Sequence, residues 1–193
     1  MPAVTGPDAD PQRRSVLKGG SLLALLFSVH GLPVLLSPRA AHAQGVALQV
    51  LTNTQRATLE AIGEVMVPGA RAAGLAEYVD HQLAAPFGEC LLAARVLDIA
   101  PPLAAFYRAA LANIDAAARQ TFGGPFATLQ GPDQIALVTT MTTKDPDGWH
   151  GAPAPFVFYL LRNDAIDVYY GTVEAYERLG VPYMPHLVPN KPW

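Results

Sequence analysis

Proline and glycine divide the apolar residues of this chain into short stretches, and most of these stretches have the spacing of a helix face. The clearest one follows Pro101-Pro102 and ends at Gly123-Gly124, with apolar side chains at Leu103, Phe106, Tyr107, Ala110, Leu111, Ile114 and Ala117. Apolar residues that recur every three or four positions indicate an amphipathic helix with one buried face. We find no alternating strand pattern of useful length and no internal repeat. The sequence therefore predicts an all-α fold.

Start and stop signals divide the chain after residue 50 into about six helices. Thr52 and Gln55 have the spacing of a capping box, so the first of these helices is predicted to begin at Thr52 and to end at Val67-Pro68-Gly69. The next helix is expected to begin at Gly74. The others are predicted from Cys90 to Ile99, from Pro101-Pro102 to Gly123-Gly124, from Pro132-Asp133 to Met141 and from Phe156 to Tyr169.

The first 43 residues have the three parts of an export signal. Arg13, Arg14 and Lys18 precede an apolar run that begins at Gly19, and Ala41-His42-Ala43 forms a small-x-small triplet of the kind that signal peptidase cuts after. The adjacent arginines, and the glycines and serines that dilute the apolar run, are typical of a twin-arginine (Tat) signal. We therefore predict a Tat signal peptide over residues 1–43 and one helical domain over residues 44–193.

An uncleaved membrane anchor is the alternative interpretation of the same stretch. The run from Gly19 to Leu36 is close to the length that spans a bilayer, but Gly31 and Pro33 interrupt it and the cleavage triplet follows directly. We favour cleavage, which predicts a periplasmic protein that meets the inner membrane only through its signal or through a complex. Tat exports folded cargo, so either this chain or a partner is expected to carry a cofactor.

Charge and cysteine content exclude several classes of function. The 193 residues have a formal net charge of −3 and no basic run after residue 43, which argues against nucleic acid and against an anionic membrane surface. The single cysteine, Cys90, cannot form an internal disulfide, hold an iron–sulfur cluster or attach a c-type haem, and its apolar context predicts a buried side chain. A nucleotide-binding glycine motif is also missing, so no cofactor site is predicted in this chain.

The histidines after residue 43 do not have the spacing of metal ligands. His81, His150 and His186 are far apart in sequence, and none is paired with another. His81 is predicted to lie on the surface of its helix, and His186 belongs to the C-terminal tail. His150 follows Trp149 in a polar loop, where nothing in the sequence identifies its partner. No metal site is therefore predicted.

Two carboxylates in the most hydrophobic helix are candidates for acid–base chemistry. Asp164 and Asp167 are three residues apart, share a helix face and lie near Arg162. Three interpretations are open: a solvated stripe, a polar contact in which Arg162 reaches a partner, and a catalytic pair. We favour the first two. The third defines an alternative function, a stand-alone periplasmic enzyme or small-molecule-binding protein that uses Asp164, Asp167 and His150.

The composition of the chain changes after Gly171. Prolines and aromatic residues become frequent in the tail, at Tyr176, Pro182, Tyr183, Pro185, Pro189, Pro192 and Trp193. Prolines at this density prevent a long helix or a central strand. The sequence therefore predicts an extended tail whose aromatic side chains lie against another surface.

The order of these features resembles that of a known family. Three segments near the start of the domain are similar to the opening of the gluconate 2-dehydrogenase subunit 3 family: Leu51-Thr52, Val67-Pro68-Gly69-Ala70 and Gly74-Leu75-Ala76-Glu77-Tyr78-Val79-Asp80-His81-Gln82-Leu83. The later segments Phe158-Tyr159-Leu160-Leu161-Arg162 and Tyr169-Tyr170-Gly171 are also like it, as is the Tat signal. The resemblance covers most of the chain after residue 43, although the tail from Val181 to Trp193 departs from the commonest family pattern.

The resemblance implies a non-catalytic accessory subunit. In that family the small subunit accompanies a large flavin-containing dehydrogenase subunit and a c-type cytochrome subunit, so FAD and c-type haem are expected in the partners. This chain would bind the flavoprotein, supply the Tat signal and remain in the periplasmic complex. Catalytic, cofactor-binding and metal-binding residues are not expected here, and the substrate is left open. The candidate partner contacts are Trp149, His150, Arg162, Tyr183 and Trp193.

Overall fold

The structure is a computed structural model that describes residues 24–29 and 31–180. In this part of the chain, two short strands, β1 (Leu25–Val29) and β2 (Leu32–Leu36), precede eight helices. The helices are α1 (Pro38–Ala43), α2 (Asn53–Met66), α3 (Leu75–Ala84), α4 (Ala93–Val96), α5 (Leu103–Phe122), α6 (Gly131–Met141), α7 (Ala154–Tyr170) and α8 (Val173–Arg178). Short 3-10 turns cover Phe87–Glu89 and Phe126–Thr128. The described chain is thus mostly helical, as predicted, but has more helices and a small sheet.

Helix α2 begins where the sequence predicts it and packs on four other helices. The Thr52 hydroxyl accepts a hydrogen bond from the Gln55 backbone N–H, and the Gln55 side-chain oxygen accepts one from the Thr52 backbone N–H. These two bonds complete the predicted capping box. The helix packs on α3, α5, α6 and α7. Leu59 and Ile62 are 0% exposed within that packing.

Two glycines with a left-handed backbone lie at helix ends. Gly74 precedes α3 with a φ of 88°, and Gly123 follows α5 with a φ of 81°. Glycine adopts this conformation without the steric cost that other residues incur. A Cβ atom at Gly74 would lie 2.1 Å from the Pro38 carbonyl oxygen, whereas no atom of the described part of the chain lies within 4 Å of a Cβ at Gly123. Gly74 therefore also permits a close approach between α1 and the start of α3.

The main hydrophobic core is formed by the inner faces of α2 to α7. Helix α5 contributes Tyr107, Leu111 and Ile114, which belong to the apolar stripe predicted from the sequence. Helix α7 contributes Leu160 and Leu161, which are 0% exposed. Burying a side chain of this size contributes about 1.5–3 kcal/mol. Packing of these helices therefore stabilises the domain, in which Cys90 is buried and unpaired as predicted.

The apolar residues before Ser37 form an antiparallel hairpin in the described part of the chain. Leu25 pairs with Leu36, and Val29 pairs with Leu32. Gly31, in the turn, has a φ of 79°, which suits a tight connection between strands. The glycine that interrupts the apolar run thus allows the chain to reverse direction. Among the helices of residues 24–29 and 31–180, none is both long and apolar enough to cross a membrane.

The helix predicted from Cys90 to Ile99 is mostly wrong. Helix α4 is a single turn in this stretch. The Leu91 backbone N–H donates to the Gln82 side-chain oxygen at 2.7 Å, and Asp98 ends the turn with a φ of 56°. The Gln82 side chain on α3 therefore binds the backbone at the start of this stretch, and the left-handed backbone at Asp98 stops the helix.

The prediction of an extended tail is wrong for residues 173–178. Helix α8 begins after Thr172, whose hydroxyl accepts a hydrogen bond from the Ala175 backbone N–H at 3.2 Å. The Arg178 guanidinium lies 5.0 Å from the centroid of the Tyr169 ring on α7. A threonine cap therefore starts one more short helix before the prolines. The remainder of the predicted tail, residues 181–193, lies outside the described residues.

Candidate functional site

One face of α3 carries polar side chains that bind the N-terminal part of the chain. Glu77, Asp80 and His81 are three and four residues apart, so they lie on the same side of the helix. We call these three residues the polar face of α3. Each of them contacts a different segment before α2. The polar face is therefore a single surface that meets residues 26–51 at several points.

Asp80 fixes the backbone just before α2. Its carboxylate oxygens accept hydrogen bonds from the backbone N–H groups of Gln49, Val50 and Leu51, at 2.7, 2.8 and 2.7 Å. Asp80 is 3% exposed. Three donors to one carboxylate offset much of the cost of removing it from water. Arg108 on α5 donates to the Val50 carbonyl at 2.6 Å, so this segment is held from two helices.

Glu77 lies at the centre of a charged cluster that joins three helices. It is 1% exposed and forms an ion pair with Arg56 on α2. Arg56 also donates from Nε to Glu60 at 2.8 Å. On α1, the Nδ1 atom of His42 lies 3.2 Å from both carboxylate oxygens of Glu77. The cluster thus connects α1 to the domain.

Part of this cluster has the proximity of a metal-ligand set. The ligand atoms of His42, Glu60 and Glu77 lie within 4.8 Å of one another. However, the Arg56 guanidinium contacts both carboxylates in the same space. A guanidinium between two carboxylates supplies the positive charge that a metal ion would supply. We therefore describe the cluster as an ion-pair network, and the prediction that the chain has no metal site stays a prediction.

His81 lies at the surface as predicted, but the hairpin partly covers it. Its Nε2 atom lies 3.2 Å from the Leu26 carbonyl oxygen. Its ring centroid is 5.1 Å from that of Phe27, which is 4% exposed. The hairpin was not predicted, and it covers the side of α3 that would otherwise face solvent.

Asp164 lies in the core, and a solvated stripe is therefore the wrong description of this residue. It is 0% exposed, and its Oδ2 atom accepts a hydrogen bond from the Tyr107 hydroxyl at 2.6 Å. Within the described residues no hydrogen bond of good geometry reaches Oδ1, although the backbone N–H of Ala93 is close enough to favour the charged form. Burial nevertheless raises the pKa of Asp164 to about 7, because the charged carboxylate loses its water. Burial also raises the pKa of Tyr107.

The residues of the alternative catalytic site do not share one environment. Asp167 and His150 are exposed, whereas Asp164 is completely enclosed. A carboxyl group without exposed surface cannot meet a substrate in an open cleft beside exposed groups. Asp167 has exposed surface, as a solvated position requires, although partial burial of its carboxyl group raises its pKa. The geometry therefore does not favour a catalytic pair.

A pocket at the N-terminal end of α2 contains polar groups that bind one another. Asp115 accepts hydrogen bonds from the Thr58 hydroxyl at 3.1 Å and from the Phe126 backbone N–H at 3.0 Å. Arg119 lies 3.8 Å from the second oxygen of Asp115. The pocket volume is about 280 Å³, which is just below the range of about 300–1,000 Å³ that is usual for ligand sites. Its polar side chains therefore serve to pack α2 on α5.

The candidate partner contacts lie in different surroundings. Trp149 is 8% exposed, and its indole N–H donates to the Ala152 carbonyl at 2.7 Å. Its ring belongs to the core and offers little surface, and its assignment as a partner contact stays a prediction. His150 and Arg162 are exposed. The other predicted contacts and the basic residues of the export signal lie outside the described residues: Tyr183, Trp193, Arg13, Arg14 and Lys18.

Exposed apolar side chains between α3 and α5 were missed in the sequence. Phe87, Leu91, Val96 and Leu97 are 42%, 52%, 71% and 43% exposed. We call residues 87–97 the apolar segment. Several large apolar side chains exposed close together are typical of a surface that a partner covers. The sequence did not reveal this surface because residues 90–99 were predicted to be a regular helix.

The polar face of α3 was also missed, although its signal is present in the sequence. Glu77, Asp80 and His81 have the spacing of one helix side, and Gly74 precedes them by nearly one turn. His81 was predicted only as a surface residue and was not grouped with Glu77 and Asp80. A search for polar residues three and four positions apart would have grouped all three residues.

The described residues form a helical module in which most buried polar groups bind one another. Large apolar side chains are exposed in the hairpin and in the apolar segment. This combination is typical of a subunit that binds a partner. A family model described as gluconate 2-dehydrogenase subunit 3 matches residues 53–187, and the chain belongs to this family. It is therefore an accessory subunit of a dehydrogenase complex. No curated protein and no solved structure matches the chain.

Proposed function

We propose that this chain is the non-catalytic small subunit of a periplasmic, flavin-dependent dehydrogenase complex. In this proposal it binds the flavoprotein subunit in the cytoplasm, brings it to the Tat translocase and stabilises it after export. FAD and c-type haem belong to the flavoprotein and to a cytochrome c subunit. Family membership over residues 53–187 supports a place in a dehydrogenase complex. The Arg13-Arg14 pair supports the export role.

The exposure of the apolar segment is the observation that carries this proposal. Val96 is the most exposed of its large apolar side chains, at 71%. In contrast, the carboxylates of the polar face of α3 are hydrogen-bonded or ion-paired within the chain. A surface of this kind gains free energy when a partner removes it from water. It therefore suits a stable contact with a larger subunit.

The apolar segment is also held in place by its own residues. Leu92 and Cys90 are 0% and 1% exposed and anchor it in the core. The Arg95 guanidinium donates to the Gly88 carbonyl at 2.8 Å. A surface that is already ordered loses less conformational entropy when it binds. These contacts support the view that the segment is ready to bind without refolding.

Co-purification with the flavoprotein tests the proposed contact. We would express both subunits, capture the complex with a tag after Trp193 and measure the flavin absorption of the eluate. Val96→Glu places a charge in the proposed contact, so we expect a loss of about tenfold or more in recovered flavin. Ile135→Glu is the control, because Ile135 is 57% exposed on α6. Equal flavin recovery with both variants would contradict the proposed contact.

The export role needs a separate measurement. Replacing Arg13 and Arg14 with lysine keeps the charge but changes the paired arginines that Tat recognises. We expect both subunits to remain in the cytoplasm in this variant and to reach the periplasm in the unchanged chain. A periplasmic chain that carries no flavoprotein in the unchanged strain would reject the escort function.

A further inference from the structure

The predicted cleavage triplet, Ala41-His42-Ala43, is part of helix α1 and is not in an extended conformation. The Ser37 hydroxyl caps α1 by accepting a hydrogen bond from the Ala40 backbone N–H at 3.1 Å. Ala41 is 0% exposed and packs with Phe27 and Val46 in a small apolar cluster. The residues that signal peptidase is expected to recognise are therefore folded and partly enclosed.

Helix α1 is held against α3 by a polar contact and by a close backbone approach. His42 lies 3.2 Å from both carboxylate oxygens of Glu77, which is itself buried. At the other end of α1, the Pro38 carbonyl is so close to Gly74 that a Cβ there would lie 2.1 Å away. Both ends of α1 are thus fixed to the start of α3.

The polar face of α3 binds the chain on both sides of the triplet as well. Before it, His81 lies 3.2 Å from the Leu26 carbonyl oxygen. After it, Asp80 accepts hydrogen bonds from the backbone of Gln49 and Val50. The three residues of the polar face therefore contact the chain before, within and after the triplet. Such an arrangement keeps the whole segment in place, because releasing one contact leaves two others.

We propose that the polar face of α3 is a docking site for residues 26–51 of the same chain, and that docking protects the triplet from signal peptidase. Proteases act on exposed backbone that can extend along the enzyme, whereas a docked helix keeps its backbone groups bonded internally. Cleavage then requires that α1 undocks and unwinds first. The folded subunit therefore retains its leader far longer than an unfolded chain would. This inference rests on the proposed function only in treating residues 1–43 as an export leader.

Cleavage by purified signal peptidase in detergent tests this inference. The substrates are the full chain and a synthetic peptide of residues 34–50, which is too short to keep the docked structure. We expect the full chain to be cut about a hundredfold more slowly, since only the undocked fraction is accessible. Cleavage of both substrates at the same rate would overturn the proposal. Because the assay contains no flavoprotein, its failure would leave the proposed partner contact unaffected.

A pair of glycine variants isolates the docking contact. Gly74→Ala adds a Cβ that collides with Pro38, and we expect it to accelerate cleavage about tenfold. Gly123→Ala has the same left-handed backbone cost, with a φ of 81° against 88°, but its Cβ meets no atom of the described residues within 4 Å. Cleavage of the Gly123 variant should remain within about twofold of the unchanged chain. If the two variants are cut at the same rate, docking at Gly74 does not protect the triplet.

A second variant decides the question if Gly74→Ala does not fold. Ser37→Ala removes the cap of α1, lies outside the triplet and leaves the main core intact. We expect about fivefold faster cleavage, because loss of a helix cap favours unwinding. Ser28→Ala, at an exposed position in β1, serves as its control. Equal rates for the two serine variants would overturn the proposal. Thermal unfolding followed by circular dichroism verifies that each variant retains the domain.

Discussion

Asp80 on α3 and Asp164 on α7 are both buried carboxylates, but their surroundings differ. Asp80 accepts three backbone hydrogen bonds from the segment that enters α2. Asp164 accepts one from the Tyr107 hydroxyl, and its second oxygen has no partner of good geometry among residues 24–29 and 31–180. The number of donors therefore separates two kinds of buried carboxyl group. The first attaches one segment to another, and the second is a polar group enclosed by helix packing.

The comparison shows how this chain uses buried polar groups. Around α3, the carboxylates bind the N-terminal segment, so the burial of these carboxylates depends on the attachment of that segment. Asp164 and Tyr107, in contrast, lie within the main core, where apolar side chains such as Leu160 and Leu161 are fully buried, so we expect the core to stay closed without the charge. Removing the carboxylate is thus expected to lower the free energy of unfolding at Asp80 and to raise it, at high pH, at Asp164. Three predictions follow from this difference, in order of expected size.

The largest effect is expected for Asp80→Ala. The change leaves three backbone N–H groups without their acceptor, and we expect the free energy of unfolding to fall by about 4 kcal/mol. Urea unfolding followed by circular dichroism measures this loss. Asp147→Ala, at an exposed aspartate, is the control and should change the free energy by less than about 0.5 kcal/mol. Similar losses in both variants would show that the three hydrogen bonds do not stabilise the domain.

Asp164→Asn is expected to stabilise the chain at high pH. The pKa of Asp164 is about 7 in the folded chain, against an ordinary value of 3.8. Since the folded pKa is raised, folding favours the protonated form. The stability from this group is fully present below about pH 4 and is lost as the pH rises to 7. Between pH 5 and 8, the free energy of unfolding of the unchanged chain should fall by about 2 kcal/mol, whereas that of the asparagine variant should not.

Urea unfolding of both proteins at pH 5 and pH 8 measures this difference. The asparagine retains an oxygen that accepts the hydrogen bond from the Tyr107 hydroxyl, so the change removes the charge of the side chain and keeps its shape. Asp98→Asn, at an exposed position, is the matched control. If Asp164→Asn and the unchanged chain lose equal stability over this pH range, burial does not hold the carboxyl group in its neutral form.

The smallest effect is expected for Thr52→Ala. Thr52 caps α2 at an exposed position directly after the backbone that Asp80 holds. Loss of the capping hydrogen bond should lower the free energy of unfolding by about 1 kcal/mol. Thr54→Ala, at an exposed threonine within the first turn, is the control and should have little effect. If Thr52→Ala lowered the free energy of unfolding as much as Asp80→Ala, burial would not be what distinguishes the Thr52 cap from the Asp80 hydrogen bonds.

The sequence predicted the parts of the fold that depend on neighbouring residues. The Thr52 and Gln55 capping box and the glycine stop at Gly123 were confirmed because both partners lie within one helix turn. The stripe of α5 was confirmed because helical spacing alone determines which side is buried. These features require no knowledge of the tertiary structure.

Features that depend on distant residues could not be predicted in the same way. The bonds that Asp80 accepts come from residues about thirty positions earlier, and Gln82 takes a backbone donor from Leu91 on another segment. Both contacts exist only after the helices have packed. Asp164 has the sequence spacing of a solvated stripe. Only the packing of α7 against α5, where Tyr107 donates to Asp164, shows that it is enclosed. The candidate site could therefore be only partly predicted.

The burial of Cys90 gives the chain a chemical reporter of its own opening. Its thiol is 1% exposed, and burial raises its pKa, so alkylation requires molecules in which the apolar segment has come away from the core. Since Cys90 is the single cysteine, the labelling rate follows this one motion in the unaltered protein. Assembly with a subunit that covers residues 87–97 would slow the labelling, and the ratio of the two rates would measure how strongly the complex holds this segment closed.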